Sequence, residues 1–278
     1  MGKKHTALKI LLPAALSVPA ALAFMAAPAI AAEEMKKPFY HKHIAHRGLH
    51  TRDKSIPENS LAAFRLAAEK GYPIELDVQL TKDGQVVVFH DDTVDRVCQG
   101  PVGRVDSYDY IDLLKFRIEG TDQYIPLFYE VLEEVGGRVP ILVELKSTSK
   151  RKELCEKTYA LLKRYNGEYC MESFDPFIVR WFRLNAPEVM RGQLASKTTD
   201  YIKEGHPPFI SYLLSHCLMN FFARPHFIAY EIGSRPFSVH LMKQAGALIF
   251  GWTSRKPDVP TKDDATIFEL YEPDIDFK

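Results

Sequence analysis

The chain has 278 residues, of which 46% are hydrophobic and 26% charged, and its 36 basic and 36 acidic side chains balance to zero. This is the composition of a globular protein rather than a disordered or fibrous one, and the lack of a basic excess argues against nucleic acid as a partner. The length suits one large core of the β/α-barrel kind, which takes roughly 250 residues.

In chain order, the first 32 residues read apart from the fold. Lys3, Lys4 and Lys9 precede an apolar, Ala-rich stretch from Ile10 to Ala32, and Ala29-Ile30-Ala31 offers the small residues a signal peptidase requires. The expectation is export to an extracytoplasmic location with cleavage near Ala31 or Ala32. Cleavage there removes three lysines and no acidic residue, so 33 basic residues then face 36 acidic ones. The competing reading is an uncleaved membrane anchor facing outside, because the stretch is long enough to span a bilayer; Pro13, Pro19 and Pro28 weaken a continuous helix there.

From Lys42 onward short apolar runs alternate with longer amphipathic ones, the pattern of repeated β/α units, so the fold class expected over residues 40–278 is α/β, a (β/α)8 barrel. Ile44 to His46 reads as the first strand. A helix capped by Asn59 or Ser60 follows and stops at Gly71. Pro73 to Val78 is the second strand, and Gln85 to His90, entered from an Asp83-Gly84 turn, is taken as the third. Val139 to Leu145, Tyr169 to Phe174 and Val189 to Leu194 continue the series, separated by helices within 149–165 and 176–185. Three more strand-like runs, 227–232, 247–253 and 266–270, give nine candidates for eight barrel positions, so one must be a connection. The aromatic and apolar stretch from Lys197 to Arg224 reads as an extra helical insertion. It either covers the barrel side or forms a lid that contacts a membrane surface.

Cys98, Cys155, Cys170 and Cys217 form no Cys-x-x-Cys pair. A zinc site is therefore not expected, and buried free thiols are. Nothing in the sequence marks a protein partner.

Several short motifs occur in order: Ile44-Ala45-His46-Arg47-Gly48, Pro57-Glu58-Asn59-Ser60, Ile74-Glu75-Leu76-Asp77-Val78, Val88-Phe89-His90-Asp91, Ile125-Pro126-Leu127, Val143-Glu144-Leu145-Lys146, Glu172-Ser173-Phe174-Asp175-Pro176 and Gly251-Trp252-Thr253. In this order and spacing the chain resembles the glycerophosphodiester phosphodiesterase family over nearly everything after Lys42. The resemblance implies a barrel of the phospholipase-C-like phosphodiesterase type that hydrolyses small-molecule glycerophosphodiesters to sn-glycerol 3-phosphate and an alcohol. It departs from the family pattern at the last strand, where the usual acidic ending is replaced by Thr266-Ile267-Phe268-Glu269.

The residues themselves point to the same chemistry. Glu75 and Asp77 are two apart on a strand, so both side chains leave one face, and two carboxylates in one site repel each other unless a cation lies between them. Glu144 can supply a third carboxylate, with Lys146 on the same face. A hard, oxygen-liking ion, Mg²⁺ or Ca²⁺, is the expected cofactor. His46 and His90 end strands near the acidic one and suit acid and base duty at phosphorus. Arg47 presents a planar fork of donors for phosphate oxygens. Glu58, with Asn59, is placed to orient Arg47 or the metal shell, and Glu58 and Lys146 are counted with Arg47 among the substrate-binding residues. Trp252 is implied by the resemblance as a cavity wall, and equally suits a core position. His41, His43 and His50 are left as surface or supporting residues. Other functions remain open at this point: lysophospholipase D, a phosphodiesterase of polyglycerol-phosphate wall polymer, a phosphatidylinositol-type lyase, or a catalytically silent lipid- or polymer-binding module.

Overall fold

Nine short runs of apolar and β-branched residues become strands in the computed structural model, which describes residues 21, 24–257 and 262–277. They are β1 (His43–Ala45), β2 (Ile74–Leu80), β3 (Val86–Val88), β4 (Ile141–Leu145), β5 (Tyr169–Ser173), β6 (Arg191–Ala195), β7 (Phe227–Glu231), β8 (Leu248–Ser254) and β9 (Ala265–Phe268). Eight of them close a parallel ring in the order β1-β2-β4-β5-β6-β7-β8-β9, with β9 pairing back to β1. This is the closed (β/α)8 barrel expected from the alternation of elements.

The surplus strand is β3, not one of the last three candidates. It pairs antiparallel with the upper half of β2, Val78 opposite Val88 and Leu80 opposite Val86. Only Thr81 to Gln85 separate β2 from β3, too few residues for the crossover of a dozen or more that a parallel neighbour requires. Thr81 Oγ1 accepts from Gln85 N at 2.8 Å, and Gly84 turns the chain at φ 75°. The hairpin thus stands above the barrel and returns the chain to the level of Asp77, whose carbonyl accepts from Phe89 N at 2.9 Å.

Alternation along the strands sorts side chains into two shells. On β2, Ile74, Leu76 and Val78 face outward and pack with Phe64, Phe128 and Phe182 of the surrounding helices. The inward positions of the other strands supply Leu142, Cys170, Leu194, Phe227, Phe250 and Ile267 to the barrel interior. Phe227 and Phe250 stack there at 4.2 Å, and Gly192 permits it, because a Cβ at that position would lie 2.1 Å from the Phe227 ring. Helix ends follow ordinary cap chemistry: Ser60 accepts from Ala63 N before the helix Leu61–Lys70, and Asp175 accepts from Phe177 N before Pro176–Asn185. All four cysteines are buried free thiols.

The 197–224 stretch is three short helices, Thr198–Lys203, Pro208–Ser215 and Asn220–Ala223, rather than one. Pro207-Pro208 after Gly205 forces the first break, since proline lacks the amide a continuing helix needs. No helix among the described residues is long and apolar enough to cross a membrane.

Most of the expected export signal lies outside the described residues. Its last part, residues 24–32, packs on the barrel. Ala26 and Ala31 are buried, Ala29 N donates to Pro225 O at 2.8 Å, and Arg224 Nη1 donates to Ala27 O at 2.9 Å while lying over the Phe24 ring. A cut at Ala31 or Ala32 would strip this segment, whereas a cut after Ala21-Leu22-Ala23 would keep it. A chain beginning at Phe24 is therefore expected to melt higher than one beginning at Glu33. The lost burial and hydrogen bonds amount to about 2 kcal/mol or more, or roughly 4–8 °C in a calorimetric scan. Equal melting temperatures would show that the segment contributes nothing to the fold.

Candidate active site

The acidic residues share one level of the barrel. Asp77 on β2 is in register with Glu144 on β4, and Glu144 with Glu172 on β5; Glu75 sits one inward position below Asp77. Neighbouring parallel strands lie only about 4.8 Å apart, so these buried carboxylates crowd one another. Ligand oxygens of Glu75, Asp77 and Glu144 all lie within 4.8 Å of one another. The opposite half of the cavity, from β6, β8 and β9, is lined by Leu194, Trp252 and Ile267.

The carboxylates do not share one protonation state. Burial drives Glu75 well above the ordinary carboxylate range, and its neighbours Asp77, Glu144 and Glu172 push it further. Burial also raises Glu144, against the pull of Lys146. Asp77 is held below its usual range although burial opposes this, because Lys146, His90, Arg47 and a hydrogen bond from Asn59 all favour its charge. Lys146 Nζ lies 2.8 Å from Glu144 Oε1 and 3.4 Å from Asp77 Oδ1, and these two acids keep it protonated despite burial.

His46 follows β1, and Glu269, immediately after β9, anchors it: His46 Nδ1 donates to Glu269 Oε2 at 2.6 Å. Arg255 Nε also donates to Glu269, at 2.5 Å. Burial, and then Arg47, lower the His46 pKa to about 4 against the opposing pull of Glu269, so the ring is neutral at pH 7. Glu269 is lowered to about 2: burial opposes this, and the hydrogen bond from His46 outweighs it. With the proton on Nδ1, the free lone pair is on Nε2, 3.9 Å from Glu75 Oε2. His90 comes from the β2–β3 hairpin and donates through Nδ1 to Asp91 Oδ1 at 2.6 Å.

Arg47 occupies the left-handed region, φ 56°, which costs a non-glycine residue on the order of 1 kcal/mol. That turn lets its amide donate to Glu75 Oε2 at 2.9 Å while its guanidinium donates to Glu58 Oε1 at 2.8 Å. Glu58 in turn accepts from Arg96, so its carboxylate is clamped between two arginines and does not line the cavity. Asn59 donates to Asp77 Oδ2 at 2.8 Å, while Ser60 takes the helix-cap position. Trp252 is a cavity wall, edge-on to Phe174 at 5.8 Å.

The structure thus gathers His46, Arg47, Glu75, His90, Glu144, Lys146 and Trp252 around one cavity of about 1040 Å³, with Asp77 beneath it and Glu58 behind Arg47. Sequence reasoning gave no role to Glu172, Glu269, Asp91 or Arg96. For Glu172 a signal existed: a glutamate inside a strand otherwise buried and apolar needs a reason. For Glu269, 223 residues from His46, none did.

The donor set fits a hard divalent cation. Three carboxylates converge, and two further acceptor oxygens, Asn59 Oδ1 and Glu172 Oε2, are buried without a partner.

A closed barrel carrying carboxylates, a lysine and histidines at the C-terminal ends of its strands is a barrel of the catalytic type, with its site where such folds build one. The comparisons are more specific. The chain belongs to the glycerophosphoryl diester phosphodiesterase family, whose pattern matches residues 46–274. A glycerophosphodiester phosphodiesterase of Caldanaerobacter subterraneus subsp. tengcongensis is 38% identical over 162 residues, covering 54% of this chain and 65% of that protein. A human lysophospholipase D is 34% identical over 155 residues, covering 51% of this chain and 47% of that one. The matches thus span less than two thirds of these relatives. Among solved structures, an Oleispira antarctica phosphodiesterase in complex with the product sn-glycerol-3-phosphate shares the fold with a TM-score of 0.66 at 22% identity, over 84% of this chain and 94% of that one. A Thermotoga maritima glycerophosphodiester phosphodiesterase shares it at 0.60 and 24%, over 82% and 96%.

Proposed function

We propose that the chain is an exported, metal-dependent hydrolase of glycerophosphodiesters, releasing sn-glycerol 3-phosphate and an alcohol. The observation that carries this reading is the convergence of Glu75, Asp77 and Glu144 in a cavity that also presents His46, His90 and Arg47. Glu75, Asp77 and Glu144 would hold Mg²⁺ or Ca²⁺, which when bound neutralises charge on the phosphate oxygens.

The protein's own groups account for the proton movements. Neutral His46, its tautomer fixed by Glu269, takes through Nε2 the proton of the substrate's glycerol 2-hydroxyl as that oxygen bonds to phosphorus. His90 gives a proton to the alcohol oxygen as its bond to phosphorus breaks, which leaves a cyclic phosphate. Water then opens the ring with the two roles exchanged: His90 takes the water's proton, and His46 returns one to the 2-oxygen. Arg47, fixed by Glu58, and Lys146 offset charge on the nonbridging oxygens, and preorganised cations of this kind usually dominate such catalysis.

A second reading, lysophospholipase D, is favoured by one feature. The first two of the three short helices add Tyr201, Ile210 and Leu214 to the lining of the cavity that Trp252 walls, Met219 before the third adds to it too, and Phe209 and Tyr212 of the second helix are exposed. A single acyl chain directed there would gain about 0.8 kcal/mol per buried methylene, and a membrane could present it. The test is release of glycerol 3-phosphate from glycerophosphocholine, glycerophosphoethanolamine and glycerophosphoglycerol, and of lysophosphatidic acid from lysophosphatidylcholine, with each metal. Turnover of the deacylated substrates is the expected result. A lower KM for the lysolipid would move the assignment to lysophospholipase D, and no turnover of any of them would leave a silent binding module.

A further inference from the structure

Among the buried carboxylates in register on β2, β4 and β5, Glu172 is the one that the mechanism above leaves without work. It is 1% exposed, lines the cavity from β5 in register with Glu144, and its Oε2 meets no hydrogen-bond donor among the described residues. An unpartnered buried carboxylate is costly, and here it sits beside others of its kind. If Glu58 is counted with Arg96 as one neutral pair, Glu75, Asp77, Glu144 and Glu172 face Arg47 and Lys146. Once all four give up their protons, as ligation requires, four carboxylates against two cations leave two negative charges, which a single divalent ion balances. Without Glu172 only one would remain. Asn59 Oδ1 is a second buried acceptor with no partner, held in place because the same amide donates to Asp77.

We propose that Glu172 is a fourth carboxylate of the cation site and that it makes the site select Ca²⁺ over Mg²⁺. This rests on the reading that a cation binds at Glu75, Asp77 and Glu144. Ca²⁺ takes six to eight oxygens in flexible geometry, whereas Mg²⁺ dehydrates reluctantly and is usually held by one or two carboxylates with several waters. Glu75, Asp77 and Glu144 converge, and the unpartnered Glu172 Oε2, one strand further on, and Asn59 Oδ1 add oxygens that Ca²⁺ accepts and Mg²⁺ does not require. Glu172 stands one strand beyond Glu144, on the side away from β2, and so widens the donor set toward the cavity.

The experiment uses the full folded chain stripped of metal by a chelator, titrated separately with CaCl₂ and MgCl₂ by calorimetry and followed by thermal melting. The wild type is expected to bind Ca²⁺ at least about tenfold more tightly than Mg²⁺. Glu172→Gln should lose about tenfold or more in Ca²⁺ affinity and less than about threefold in Mg²⁺ affinity. Metal-free E172Q should melt no lower than metal-free wild type, because Glu172 Oε2 has no hydrogen-bond partner to lose, and its Ca²⁺-induced rise should be smaller. A residue that merely supports the fold would do the opposite: a lower metal-free melting point with the Ca²⁺-induced rise retained. Ca²⁺ affinity within about twofold of wild type would overturn the proposal and leave Glu172 to a substrate hydroxyl. If the wild type binds neither ion, the cation reading itself fails as well, and that result is distinct. Should E172Q not fold, Glu172→Asp, which keeps the charge but withdraws the oxygens, carries the same test through its Ca²⁺ affinity.

Discussion

Replacing His46 by alanine is expected to lower kcat on glycerophosphocholine by about 10²–10⁴-fold, the range associated with removal of a positioned proton-transfer group. The fold should survive, because the imidazole lies at the cavity edge rather than in either apolar shell. Glu269→Gln is the sharper variant. It leaves His46 in place but removes the negative acceptor on Nδ1, so the ring can carry its proton on either nitrogen, and only one tautomer presents a free Nε2. A loss of about 10²-fold or more follows. The direction of the pH profile is also fixed. The base must be neutral, so activity falls as pH drops through the His46 pKa near 4. Removing Glu269 takes away an attraction for the imidazolium, and the acid limb moves to still lower pH. A purely structural Glu269 would lower activity without moving that limb. A His46→Ala enzyme retaining more than about a tenth of wild-type kcat would remove His46 from the reaction. Stability carries the same sign: folding depresses His46 below its unfolded value of 6.5, so the unfolded chain binds the extra proton between pH 6.5 and about 4, and stability falls as pH drops through that window.

The barrel was legible because its strands are short β-branched runs set between amphipathic segments of helical length, and both periods survive without any tertiary information. Direction was harder to read. Val86-Val87-Val88 looks like any buried strand and so reads as a member of the ring, although Asp83-Gly84 is a strong hairpin signal that excludes a parallel neighbour. His90 nevertheless reaches the site, because the hairpin returns it to the level of Asp77. Glu75, Asp77, Glu144 and Lys146 were readable from spacing alone, since residues two apart on a strand share a face. The pairing of His46 with Glu269 was not, because barrel closure brings together the first and last strands and no local pattern encodes that contact. The alanine-rich segment carries two signals at once: small residues suit a peptidase, and Ala26 and Ala31 also suit close packing against the barrel.

Asp77→Asn is expected to have the second large effect, and to have it more on binding and turnover than on folding. Asp77 is fully buried and takes Lys146, Arg47 and Asn59 as neighbours. The amide keeps the shape but removes the one carboxylate of the cluster that its surroundings hold firmly ionised. Lys146 keeps Glu144 at 2.8 Å, so it is not left unpaired, and repulsion with Glu75 and Glu144 is relieved. The attractions outweigh the repulsion, since Asp77 is held below its usual range, so the metal-free fold should lose about 1–3 kcal/mol at neutral pH. Cation affinity has no such compensation. A hard ion loses a charged oxygen and faces Lys146 and Arg47 with one fewer anion to offset them, so affinity should drop by about 10²-fold and turnover at fixed metal by about 10³-fold. The acid sensitivity of folding should change too. Asp77 is depressed below its unfolded value of 3.8, so the stability it contributes is present above that pH and is lost as pH falls further, and the asparagine protein lacks this loss. Calorimetric titration with CaCl₂ and MgCl₂, turnover of glycerophosphocholine and thermal melting across the acid range check these three in turn. Affinity for both ions within about threefold of wild type would show that Asp77 is no ligand and that the cluster answers to Lys146 alone.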